Sequence, residues 1–217
     1  MIRKAFTMLE LVIVIVVLGI LAALAIPRLE RDIKQEAADN ILSAIRYTQH
    51  LALQDNKHLA SDPKWQQRFW HIYFGTCDGE KFYAIGSDEN METSNNGRVD
   101  FLESALDPAN GKRIWAHDGA GCAGSYDMKD LSPEIFLSKK YGVASYSATG
   151  GCTKSYLGFD HLGRPYSDAF PTSTTPDYSG YMTSECSLSF TLENGESFTI
   201  KVEPETGYAY IDGQNDS

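Results

Sequence analysis

The chain lacks basic excess. Its 217 residues carry 19 Lys+Arg against 29 Asp+Glu, a formal charge of −10. Gripping nucleic acid through its phosphates needs a basic surface, so nucleic-acid binding is not expected. The C-terminal "YIDGQNDS" adds acid rather than base. Cysteine is scarce, and none of the four forms a C-x-x-C pair. Tetrahedral zinc and thioredoxin-type chemistry are therefore without a motif. The histidines, His50, His58, His71, His117 and His161, show no metal-ligand spacing. G-x-S-x-G, a Walker loop and G-x-G-x-x-G are all missing. Nothing supports a catalytic site, and the chain is not expected to be an enzyme.

What the chain does have is a long apolar run near its start. From Phe6 to Ile26 the one charged residue is Glu10. As a helix at about 1.5 Å per residue this run is about 31 Å long, near one hydrocarbon core. A carboxylate inside such a run is costly and is usually functional. Arg3 and Lys4 precede it, which would hold the N-terminus in the cytoplasm and send the rest outward. Three fates are open. Ala23-Leu24-Ala25 offers a secretory cleavage site; the run can remain an uncleaved single-span anchor; or the cut can fall between Ala5 and Phe6.

After Pro27, the residues Leu29, Ile33, Ala37, Ile41, Ala44, Ile45, Thr48, Leu51 and Ala52 follow helical spacing. Arg31, Asp32, Gln35, Glu36 and Asp39 form the opposite, polar face. Proline can kink a helix without ending it, so the pattern predicts one helix from about Phe6 to Asn56. Strand signals follow: "RFWHIYFG" and "EKFYAIG" as a hairpin, then "EIFLS", "YLGFD", "CSLSFTLEN" and "SFTIKVEPETGYAYID". The expected class is α+β, a long N-terminal helix (transmembrane, then amphipathic) packed on an antiparallel β-sheet.

All four cysteines, Cys77, Cys122, Cys152 and Cys186, lie beyond the apolar run. An even number in an exported domain reads as two disulfides, with three connectivities open. The expected pairs are Cys77–Cys122 and Cys152–Cys186, the alternative being four buried thiols. One loop carries a degenerate EF-hand pattern, with Glu92, Ser94, Asn96, Arg98, Asp100 and Glu103 at the ligand positions and Gly97 at the sixth. Glu in the first place and Ser in the third weaken it. Calcium is the one cofactor the sequence suggests, against a solvated acidic loop.

The stretch "AFTMLELVIVIVVLGILAALAIP" resembles the N-terminus of type IV pilins and of type II secretion pseudopilins. That family has a basic leader ending in a small residue, then Phe, Thr, two apolar residues and Glu, then an apolar run with a proline near its end. Here these are Ala5, Phe6, Thr7, Met8, Leu9, Glu10 and Pro27. Ala5 departs from the commoner Gly. "FDHLGRP" and "PETGYAYI" further resemble pieces of minor pseudopilins.

The resemblance implies a pilin-like fold and a structural role in a type IV pilus or a secretion or DNA-uptake pseudopilus. It implies a leader (1–5), a transmembrane and filament-core helix half (6–27), an amphipathic half (28–57) and a β-rich domain (58–217). Prepilin peptidase would cut after Ala5 and methylate the amine of Phe6. The subunit would wait in the bacterial inner membrane, N-terminus cytoplasmic and C-terminal domain periplasmic. An inner-membrane assembly platform would then join it to other subunits. In that family the glutamate at the position of Glu10 is thought to meet the N-terminal amine of a neighbouring subunit. A cation there lets the carboxylate stay charged, and such a pair fixes register more than it adds stability. The alternative for Glu10 is snorkelling to an interface. The alternative for the chain is an exported binding module or enzyme with residues 1–25 as a cleaved signal.

Overall fold

The computed structural model describes residues 8–90, 99–119, 121–152, 156–167 and 174–214, with the helical backbone alone over 22–32. Its first element is the helix α1, Met8–Gln54. Beyond Ile33 the helix turns one stripe inward. Ala37, Ala38, Ile41, Leu42, Ala44, Ile45, Thr48 and Ala52 are all buried, at the i, i+3/i+4 spacing that places residues on one face. Thr48 sits in this apolar stripe because its hydroxyl donates back to Ala44 O at 2.8 Å. Ile33, expected on the stripe, is 41% exposed; the globular part begins one turn later.

The strands are β1 (Trp70–Cys77), β2 (Glu80–Gly86), β3 (Val143–Gly150), β4 (Tyr156–Phe159), β5 (Pro165–Ser167), β6 (Cys186–Leu192), β7 (Ser197–Val202) and β8 (Ala209–Ile211). They form two four-stranded sheets rather than one, in the orders β2-β1-β4-β5 and β3-β6-β7-β8, with every neighbouring pair antiparallel. The α+β class therefore holds. The helix α1 packs on β1 and β4 of the first sheet and on β7 and β8 of the second. Sheet meets sheet where Phe74 and Phe190 approach to 5.4 Å between ring centroids, and where Tyr146 Oη donates to Phe74 O at 2.8 Å.

The β1–β2 turn is made by Asp78 (φ 48) and Gly79 (φ 85). Positive φ at both central residues is what a two-residue hairpin twisting with its strands requires. "EIFLS" is not a strand. Pro133–Ile135 is a 3-10 turn and Leu137–Tyr141 a short helix, α2, ended by left-handed Gly142. Pro133 starts the turn with a pre-set φ, and Gly142 closes the helix in a conformation few other residues accept. Two disulfides, Cys77–Cys122 and Cys152–Cys186, close sequence separations of 45 and 34. In the chain-entropy account each contributes about 4 kcal/mol.

Candidate assembly surface

The first turns of α1 touch none of this core. From Leu9 to Leu21 every large apolar side chain is 48–70% exposed. Valine, isoleucine and leucine occupy successive positions, so the apolar surface runs right round the helix instead of along one stripe. A helix apolar on all sides needs cover on all sides, and exposed patches of this extent mark interaction sites. Gly19 opens one gap, with no other side chain within 4 Å of where a Cβ would stand.

Of the residues expected to act here, Glu10 lies in the first turn of α1, where a carboxylate complements the helix dipole. Ala5 and Phe6 lie outside the described residues. Pro27 lies within the span of α1, with its side chain outside what is described.

The membrane expectation is overturned. Among the described residues no helix is long and apolar enough to cross a membrane. The single-pass inner-membrane placement, with a transmembrane half and a periplasmic domain, is withdrawn with it.

In the acidic loop, Glu92, Ser94, Asn96 and Arg98 lie outside the described residues. Asp100 and Glu103 are brought together, but as a cap. The Glu103 carboxylate accepts from Glu89 N (3.1 Å), Asn90 N (2.9 Å) and Asp100 N (3.3 Å), and Asp100 Oδ2 accepts from Asn90 Nδ2 (3.1 Å). Among the described residues no group of three or more His, Cys, Asp or Glu is placed to hold a metal.

"FDHLGRP" and "PETGYAYI", some forty residues apart in the chain, meet on α1. Gln49 Nε2 donates to Gly163 O and to Thr206 O, each at 2.8 Å. Beside this clamp, Asp160 is 1% exposed. It accepts from Leu162 N (3.0 Å), Arg164 N (2.9 Å), Arg164 Nε (2.8 Å) and the Tyr181 hydroxyl (3.0 Å). Burial first, then the Asp160 charge, pushes the Tyr181 hydroxyl above the ordinary phenol range. The pairing with Asp160 raises Arg164 in turn. This network holds a loop in place.

No protein-family model matches the chain, and no curated protein or solved structure is significantly similar to it.

Proposed function

We propose that the chain is a structural subunit of a pilin-like filament, a type IV pilus or a pseudopilus, assembled through the start of α1. One observation carries the reading: an all-round apolar helix start stands clear of a folded, disulfide-closed domain. A dimer would cover one side of such a helix. Cover on every side calls for several neighbours, and a bundle of the same helices supplies it. The motif running from Ala5 to Glu10 supports the same reading. In it, cleavage after Ala5 frees the amine of Phe6, which is then methylated. Glu10 answers that amine on an adjacent subunit, and the pair sets how far one helix slides along the next.

Intact-mass measurement of the protein from its native source tests the processing step. The expected mature chain begins at N-methylated Phe6. A chain beginning at Ile26 overturns the proposal in favour of an exported binding module or enzyme.

A further inference from the structure

A cavity of about 540 Å³ opens among the β1–β2 turn, the 121–124 loop and α2, lined by Asp78, Glu80, Cys122, Met128, Phe136 and Lys139 among others. That volume falls within the ordinary range of small-molecule sites, which pair apolar walls with a few converging polar groups. Met128 and Phe136 are the apolar part. At the turn, Glu80 Oε2 is buried and accepts no hydrogen bond among the described residues. A carboxylate oxygen withdrawn from water without a donor is costly and calls for an explanation. Asp78 adds a second carboxylate, with one oxygen accepting from Gly121 N at 2.9 Å. The cation comes from α2. Lys140 is committed to Glu134 at 2.9 Å, whereas Lys139 carries no ion pair among the described residues. The walls are fixed before any ligand arrives. The Cys77–Cys122 disulfide ties the loop to β1, Asp78 N donates to Gly119 O at 3.0 Å, and Lys81 N donates to Ser138 Oγ at 2.9 Å. Such preorganisation lowers the ordering cost of binding.

We infer that this cavity binds a small zwitterion of dipeptide size with an apolar side chain, its ammonium on Glu80 and Asp78 and its carboxylate on Lys139. The charges of both signs and the apolar floor together select that class: a simple amine would leave Lys139 unanswered, and a simple acid would leave Glu80 so. The inference does not depend on the filament reading.

Calorimetric titration of the full, oxidised chain with alanyl-leucine tests it. Saturable binding is expected with a Kd on the order of 1 mM, the scale set by a ligand of this size. N-acetylation of the dipeptide, or amidation of its carboxyl group, should each weaken binding at least tenfold. So should Glu80→Gln and Lys139→Ala. Absence of saturable binding overturns the assignment, as does equal binding of the capped dipeptides. The capped probes act on the unaltered protein, so a variant that fails to fold leaves the test intact.

Discussion

At the scale of single residues, the buried tyrosines set the alkaline limit of the fold. Tyr83 is 4% exposed. Burial above all raises the pKa of its hydroxyl, and the charges of Asp107 and Glu134 push it further up. Tyr141 and Tyr181 are raised as well, by burial and then by Glu134 and Asp160 respectively. Below about pH 10 folded and unfolded chains both keep the phenol proton, and its contribution is fully present. Above that the unfolded chain releases the proton while the folded chain holds it, so stability is lost as pH rises. One such group removes about 1.4 kcal/mol per pH unit. Tyr83→Phe should therefore change stability at neutral pH by less than about 1 kcal/mol, yet flatten the alkaline slope by one group's worth. Urea melts across the alkaline range read both quantities. Equal slopes in the two proteins would show that Tyr83 ionises freely in the fold.

At the scale of elements, Gln49 is the contact through which α1 holds two turns far apart in the chain. Its amide donates to Gly163 O and Thr206 O. Gly207 (φ 67) passes so close that a Cβ there would stand 2.4 Å from Gly163 O and 2.6 Å from Gln49 Nε2. Gln49→Ala should cost about 2 kcal/mol, two hydrogen bonds at about 1 kcal/mol each. It should also speed amide exchange in 160–164 and 205–208 while leaving β1 and β2 protected. Exchange that rises uniformly across the chain would count against a local clamp. What could be read beforehand follows from periodicity. The stripe on α1 and the β1–β2 hairpin were legible because burial there is one-sided or continuous, and the even cysteine count read as the two disulfides that form. The strand β3 was not legible: only Val143 of its eight residues is buried, so a strand defined by pairing with β6 carries almost no apolar alternation. The segment "EIFLS" misled because its apolar residues are core side chains, Ile135, Phe136 and Leu137 all being buried, on a turn and helix punctuated by Pro133 and Gly142. The polar groups of the 540 Å³ cavity come from a turn, a loop and α2, and no spacing rule connects them.

For the whole molecule, two surfaces pull in opposite directions. The apolar start of α1 favours association, while a formal charge of −10 makes the copies repel one another. Screening shortens that repulsion to about 8 Å at physiological ionic strength, so assembly of the purified chain should rise with salt. The two parts are also separable in energy, because no residue of Met8–Leu21 belongs to the buried core. Val14→Asp places a carboxylate in the middle of the apolar stretch, and burying it unpaired among neighbouring helices would cost several kcal/mol, on the order of 3 or more. The monomer keeps that position in solvent, so its unfolding free energy should change by less than about 0.5 kcal/mol. Glu10→Val is the complementary change: it keeps the surface apolar but removes the charge proposed to fix register. Sedimentation and electron microscopy should show Val14→Asp remaining unassembled. Glu10→Val should associate without forming regular filaments, and both variants should melt like the parent protein. Regular filaments from Val14→Asp would take assembly away from the start of α1. Regular filaments from Glu10→Val would leave the helix in its role and remove Glu10 as the residue that sets the register.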